Sequence, residues 1–290
     1  MLKELTLFGE IDKVQIAIDR IKEFDPSKID KNKVYILPFS GGKDSLACYI
    51  LAKMAGIKFI AIKAPTPDPP ELQQYVHKNF KVCKTREEAV MEYPYTENRL
   101  YIEPFKRFSN RTKRKKFIGR PKTMFNLIKN RKMPPTRVSR YCCSDLKENV
   151  GDKGDFLIMG VRREESITRS KRGIVSFWMG KTCINPIVDW TQEEVWELIK
   201  GVQQPYCCLY DEGWERLGCV GCPLSSNQKK ELERWPNFYK AYVRAFDEML
   251  ENLDDKSKCT WENGEDVMKW WLGECEKDRA IPGQCSMFDE

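Results

Sequence analysis

Histidine is almost missing from this chain: His77 stands alone among 290 residues. Any metal site must then be built nearly entirely from thiolate. No apolar run approaches the roughly 20 residues that span a bilayer. The first ten residues carry Lys3, Glu4 and Glu10 and no long apolar core, which argues against a signal peptide. The expectation is a soluble, cytoplasmic protein with no membrane partner. Acidic residues are absent from one long stretch, Lys106 to Arg140, which holds fourteen Lys or Arg. The formal net charge is +7, so the rest of the chain carries −7. A block this one-sided is either a solvated insertion or a surface for a polyanion.

Cysteine, by contrast, is plentiful, at 12 residues. A secreted disulfide scaffold would be shorter. In a reducing compartment, clustered cysteines more often mark a metal site. The length suits one large α/β domain or a domain with appendages, and it easily buries a core.

The chain is organised around Ser40-Gly41-Gly42-Lys43-Asp44-Ser45. An apolar run, Val34 to Phe39, precedes it, and a helical apolar pattern from Leu46 to Met54 follows and stops at Gly56. Strand, glycine turn, helix is the setting in which a loop binds phosphate. Two glycines allow close backbone approach, and the helix start favours an anion. Lys43 adds a full charge, while Ser40 and Ser45 add hydroxyls. The Walker spacing, Gly-x4-Gly-Lys-Ser/Thr, is absent.

Strand and helix patterns then alternate. Strands are expected at 34–39, 58–63, 82–85 and 156–159, with helices at 45–55 and 71–80 between them. Alternation predicts a doubly wound, mostly parallel α/β sheet with ligands at the carboxyl ends of its strands. Residues 11–24 read as a helix with no chemistry in it. Three regions are expected: an N-terminal helical segment at 1–30, a nucleotide-binding α/β domain at 31–225 with the basic insertion 106–140, and a helical region at 226–290. Asp68, just past the second strand, is well placed to face a nucleotide, although a loop-surface aspartate is its first reading. Gly160-Val-Arg-Arg-Glu-Glu-Ser166 leaves another strand exit, where Arg162 and Arg163 can grip phosphate or sulfate and Glu164 or Glu165 can hold an arginine fork. Thr191 and Glu194 form a capping-box pair at the next helix. Asp189 and Trp190 read as structural.

Within the basic block, Phe117 lies among the charges and 121–132 reads as a short basic helix. Three readings stay open: contact with a nucleic-acid backbone and an occasional stacked base, a solvated insertion, or donors for a single nucleotide's phosphates. The cysteines cluster as Cys142-Cys143 and as Cys219-x2-Cys222 with glycines around it, a recurrent half-site for zinc or iron–sulfur. Cysteines at a helix start are ready thiolates. Cys207-Cys208 is a second adjacent pair that either supplies a ligand or packs as small apolar residues. Cys48, Cys83, Cys183 and Cys259 read as structural.

The 40–45 stretch resembles the PP-loop of ATP pyrophosphatases, a fold shared with the phosphoadenosine phosphosulfate (PAPS) reductases. The adjacent cysteines, 75 intervening residues and Cys-x2-Cys look like the [4Fe-4S] pattern of assimilatory adenylylsulfate reductases. Carried over, the resemblance implies Cys142, Cys143, Cys219 and Cys222 as cluster ligands. Gly160-Val-Arg-Arg resembles that family's anion-binding turn, and Pro186-Ile-Val-Asp-Trp190 its following strand exit. The resemblance spans about residues 34–225.

Two departures bear on function. The sulfonucleotide reductases usually lack a lysine in this loop, since their substrate has no β,γ-phosphates; Lys43 is present here. They also end in Glu-Cys-Gly-x-His, whereas this chain offers Cys275 and Cys285 with no histidine near. A lysine-bearing PP-loop with four cysteines looks more like the cluster-containing ATPase of DNA phosphorothioation, or like tRNA thiolases. The resemblance therefore implies ATP with Mg²⁺, held by Ser40 to Ser45 with Gly160, Arg162 and Arg163. Lys43 and Arg162 would neutralise developing charge, and Asp44 would meet the Mg²⁺. It implies sulfur transfer to an acceptor, with nucleic acid contacting 106–140 and a cysteine desulfurase or other sulfur donor as partners. The alternatives are a sulfonucleotide reductase using Cys275 or Cys285, and a non-catalytic nucleotide-binding regulator. Zinc in place of the cluster is a variant of all three.

Overall fold

The protein, as a computed structural model, is described over residues 2–6, 9–254 and 259–274. A hairpin of β1 (Lys3–Thr6) and β2 (Gly9–Asp12) opens the chain and runs into α1 (Lys13–Glu23). Sequence periodicity predicts only the helix, because four-residue strands carry no repeat long enough to read. The Asp12 carboxylate accepts from the N–H groups of Val14 (3.0 Å) and Gln15 (3.1 Å) and fixes the helix start. Then β3 (Tyr35–Pro38), α2 (Lys43–Met54), β4 (Phe59–Lys63), α3 (Pro70–Asn79) and β5 (Lys81–Cys83) alternate. Next come β6 (Val90–Met91), β7 (Arg99–Ile102) and two short helices, α4 (Met124–Asn130) and α5 (Tyr141–Leu146). After them lie β8 (Phe156–Ile158), α6 (Ile167–Ser170), β9 (Val175–Trp178), β10 (Lys181–Ile184) and α7 (Gln192–Gly201). The last elements are α8 (Gln228–Arg234), α9 (Pro236–Glu251) and α10 (Gly264–Trp271).

One sheet takes the order β5-β7-β4-β3-β8-β10-β9, with β6 paired antiparallel to β4 off that path. Strands β5, β7, β4, β3, β8 and β10 run parallel, and only the edge strand β9 opposes its neighbour on this path. The fold is therefore the mostly parallel, doubly wound α/β sheet that the alternation predicts. The chain winds from β3 to β4 on one side and later to β8 on the other. The exits of β3 and β8 thus lie side by side where the winding reverses, the usual ligand crevice of such sheets. Helix α2 backs that crevice and is buried almost all round, from Ser45 to Ala52. Branched aliphatic residues of the sheet pack together, with Ile36, Ile60, Ile62 and Leu157 in a single cluster. An aromatic group of Phe39, Tyr49, Phe59 and Phe80 packs edge-on nearby, with ring centroids 4.8–5.8 Å apart.

The chain divides into two compact units, residues 1–104 with 149–218, and residues 105–148 with 219–290. The basic block and the C-terminal helices, which the sequence alone keeps apart, belong to the same unit. That second unit is built on α9, whose Tyr242 and Phe246 meet Trp271 of α10 at 5.0 and 5.4 Å. The Trp271 indole donates to the Pro135 carbonyl at 2.6 Å. Among the described residues, no helix is long and apolar enough to cross a membrane.

Candidate functional site

Residues 40–45 connect β3 to the first turn of α2 and fold around their own hydroxyls. The Ser45 hydroxyl donates to the Gly42 carbonyl (2.8 Å) and accepts from the Ser40 N–H (3.2 Å). The Ser40 hydroxyl accepts from the Gly42 N–H at 3.2 Å. Gly41 sits at φ +83°, and a Cβ there would fall 2.9 Å from Leu72. A Cβ on Gly42 would meet the Ser40 and Tyr210 hydroxyl oxygens, both at 3.3 Å. Gly41 thus answers a conformational need, and Gly42 leaves a tight space that a Cβ would crowd.

Two cations converge on Asp44. The Arg162 Nε lies 2.7 Å from one carboxylate oxygen and the Lys43 Nζ 3.7 Å from the other. Arg162 is only 3 % exposed, and its Nη1 also reaches Glu164 at 2.8 Å. Glu164 in turn accepts from the Gln192 N–H at 3.0 Å, so the fork is tied to the start of α7. The Arg162 N–H donates to Glu165 at 3.1 Å. Both glutamates therefore help hold the arginine. Gly160 makes this approach feasible, because a Cβ there would lie 2.8 Å from the Asp44 carbonyl carbon and oxygen. Arg163 is exposed and donates to the Arg172 carbonyl at 2.9 Å, apart from the Asp44 pair. Thr191 and Glu194 form the expected capping box.

Three further groups meet at this loop; of these the sequence pattern points only to Asp68, through its place past β4, and gives no signal for Lys63 or Tyr210. Lys63, at the end of β4, is buried in an ion pair with Asp68 and donates to the Ser40 carbonyl at 3.3 Å. Asp68 is 3 % exposed and also accepts from the Thr66 hydroxyl at 2.8 Å, so it is not the surface aspartate its loop setting suggests. The Tyr210 hydroxyl accepts from the Lys43 N–H at 2.8 Å, and the Lys43 ammonium donates to the Glu215 carbonyl at 2.9 Å. Burial pushes the Tyr210 phenol well up from its ordinary value, so it stays neutral. Tyr210 sits in the stretch notable in sequence for Cys207-Cys208. Its own role appears only once the chain folds back on the loop.

All four candidate ligand cysteines fall in the second unit. Cys142 and Cys219 are buried, and Cys143 and Cys222 are half-buried. Cys142 shares a hydrogen bond with Cys143, and Cys143, Cys219 and Cys222 all act on it electrostatically. The hydrogen bond shared by Cys142 and Cys143 pushes Cys142 up and Cys143 down, with Arg140 and Lys147 helping to lower Cys143. Only one of the adjacent thiols is thus a ready thiolate, and its neighbours rather than the helix start alone account for it. Among the described residues no three His, Cys, Asp or Glu side chains close on a point that would hold a single metal ion. The amide of Gly221, inside Cys-x2-Cys, donates to Glu231 at 2.8 Å rather than to sulfur. Cys207 and Cys208 belong to the other unit, and burial pushes the Cys207 thiol up to about 11. Cys275 and Cys285 lie outside the described residues.

An adenosine 5'-phosphosulfate reductase of Halalkalibacterium halodurans is 30% identical over 139 residues, covering 41% of this chain and 60% of the relative. One of Staphylococcus haemolyticus is 34% identical over 89 residues, 29% of this chain and 36% of the relative. A protein of Methanocaldococcus jannaschii described as uncharacterized is 27% identical over 270 residues, 83% of this chain and 59% of the relative. The matches thus span between about a third and three-fifths of these relatives' lengths. The solved PAPS reductase of Candida auris, a phosphate complex, aligns at TM-score 0.41 and 14% identity, covering 74% of this chain and 96% of that one. The profile described as the phosphoadenosine phosphosulfate reductase domain matches residues 34–225, the stretch from the start of β3 to just past Cys222, and the chain belongs to that family.

Proposed function

We propose that the protein is an ATP pyrophosphatase within the PAPS reductase family, which adenylates a substrate for sulfur transfer. The observation that carries this reading is Lys43, a buried cation in the first turn of α2 beside Asp44 and Arg162. A triphosphate needs that extra charge at its β and γ phosphates; an adenylylsulfate has neither. In the reaction, an acceptor oxygen attacks the α-phosphorus, the α–β bridging bond breaks, and pyrophosphate leaves with the electron pair. Ser40 to Ser45 cradle the leaving pyrophosphate. Lys43 and Arg162 neutralise its growing charge, the electrostatic work phosphoryl chemistry asks of a site. Asp44 is already engaged by Arg162 and Lys43, so Mg²⁺ enters as the nucleotide's own counter-ion and no step is assigned to it.

The all-thiol donor set of Cys142, Cys143, Cys219 and Cys222 suits a [4Fe-4S] cluster, and these residues would hold it. When bound, such a cluster supplies a sulfur- or electron-handling centre. The sulfur comes from a cysteine desulfurase or another donor, and the acceptor is a nucleic acid. A second reading, sulfonucleotide reduction, is favoured by the similarity to adenosine 5'-phosphosulfate reductases. There a terminal thiolate, Cys275 or Cys285, would attack the sulfate sulfur.

The test is pyrophosphate release from ATP and Mg²⁺ by protein purified without oxygen. Lys43→Ala is expected to abolish release while iron per chain stays unchanged. Undiminished release overturns the assignment. Calorimetric preference for adenylylsulfate over ATP, with thiol-dependent turnover lost in Cys275→Ser or Cys285→Ser, establishes the second reading instead.

A further inference from the structure

The basic stretch divides in two once its side chains are placed. Residues 106–122 form a closed loop. The Phe108 N–H donates to the Arg120 carbonyl (3.0 Å), Gly119 to Phe108 (3.0 Å) and Lys122 to Lys106 (2.7 Å), around a bridge of Arg107 with Pro121. Phe108 and Phe117 fill the loop, their centroids 5.7 Å apart and both rings buried. Arg114 ties it down by donating to the carbonyls of Lys129 (3.2 Å) and Arg131 (3.5 Å). On its outside Lys106, Arg107, Arg111, Lys113, Lys115, Lys116 and Arg120 are all exposed. Among the described residues, none of these seven is ion-paired with a carboxylate.

The following cations are different. Lys122 and Arg131 both meet Asp145, at 2.6 and 3.8 Å. Lys129 meets Glu248 at 2.5 Å and Lys132 meets Asp254 at 2.8 Å. Carboxylates from α5, α9 and the segment after α9 thus neutralise residues 122–132. Of the eight cations in the 106–120 loop only Arg114 meets a carboxylate, Asp254 at 3.9 Å, whereas all four cations at 122–132 are ion-paired; the block that reads as one charge run thus divides into a mostly unpaired loop and a paired scaffold, with exposed Arg137 and Arg140 beyond them.

We propose that the 106–120 loop is a surface for the phosphate backbone of a nucleic acid, reading no bases, and that the 122–132 cations are structural. Seven cations spread along one loop exceed what a single nucleotide's phosphates can engage, and match a repeating polyanion. Phe117 is 1 % exposed and lies beneath Lys116 and Arg120, each 5.7 Å from its ring centre, so it offers no face to a base. Contacts limited to phosphate give binding that ignores sequence and falls steeply with salt. This inference rests on the nucleic-acid part of the proposed function and not on ATP use.

Fluorescence anisotropy with labelled 20-mers of two unrelated sequences, in single- and double-stranded form and between 50 and 200 mM salt, tests it. The full chain is compared with Lys115→Ala/Lys116→Ala and with Arg131→Ala/Lys132→Ala. At about 0.15 M salt each lost phosphate contact weakens duplex binding about fivefold and flattens the log–log salt slope by about 0.9. The loop pair is therefore expected to bind about 25-fold more weakly with an unchanged melting temperature. The scaffold pair is expected to melt lower and, where still folded, to bind within about twofold of the parent. No binding by the parent, tighter binding of a polyglutamate peptide than of either oligonucleotide, strong preference for one sequence, or equal loss in both variants overturns the proposal. Lys43→Ala should retain oligonucleotide binding. Binding through the loop in a protein that never cleaves ATP leaves this surface standing while the adenylation reading falls.

Discussion

Replacing Tyr210 by Phe isolates one hydroxyl that occupies the nucleotide loop. That hydroxyl accepts from the Lys43 N–H at 2.8 Å, at the start of α2 where a phosphate oxygen would otherwise be received. Its ring stays packed against Trp196 at 4.8 Å in the variant, so the change removes an acceptor and little else. A partly buried N–H left without its acceptor costs about 1–2 kcal/mol. That cost falls on the ligand-free state alone if the phosphate supplies the acceptor in the complex. The free protein should melt lower, and ATP and pyrophosphate should bind about five- to thirtyfold more tightly, the same energy expressed as affinity. Differential scanning calorimetry and isothermal titration on both proteins read the two quantities. They are expected to sum so that the nucleotide-bound forms melt together. Weaker ATP binding by Tyr210→Phe refutes the reasoning, since Tyr210 would then support the bound loop rather than compete with phosphate for it.

Other perturbations probe separate parts of the molecule. Gly160→Ala places a methyl 2.8 Å from the Asp44 carbonyl, so stability should fall by about 1–3 kcal/mol in chemical denaturation and ATP cleavage should fall with it. Arg162→Lys exchanges a fork held by Asp44 and Glu164 for a point charge, and pyrophosphate release should drop about a hundredfold or more while the protein still folds. Single Cys→Ser changes at 142, 143, 219 and 222 should each lower iron per chain, whereas Cys207→Ser and Cys208→Ser should not; iron loss in the latter pair would reassign the ligands. Burial works against an ionised Asp189, but the Arg20 fork at 2.6 and 2.7 Å more than offsets it and holds the carboxyl below its usual range. A depressed folded-state pKa stabilises above the unfolded value, near 4, and that contribution disappears as pH falls through the folded value. Melting temperatures of the parent and Asp189→Asn should therefore differ at pH 7, with the difference starting to shrink only below about pH 4 and vanishing once pH falls below the lowered folded-state value.

What was legible in the sequence was local. An apolar run, a glycine turn and a helical pattern lie within twenty residues of one another, so the β3–loop–α2 unit and the parallel winding can be read directly. Arg162 and its glutamates are legible for the same reason, since Glu164, two positions on, holds the fork and Glu165, three positions on, accepts from the Arg162 backbone N–H. The groups that complete the loop are not local. Tyr210 reaches Lys43 across 167 positions, and no periodicity encodes that contact. Asp68 misleads because a proline-rich loop reads as surface, yet its carboxylate is drawn inside by Lys63. The basic block shows the limit most clearly. Its sequence distinguishes neither Lys116 from Lys129 nor an outward phenylalanine from an inward one. Only the fold brings Glu248 to Lys129 and turns Phe117 beneath its own charges. A run of like charge becomes evidence about a partner only after the carboxylates that already satisfy part of it have been subtracted, and here most of the remainder lies in one loop.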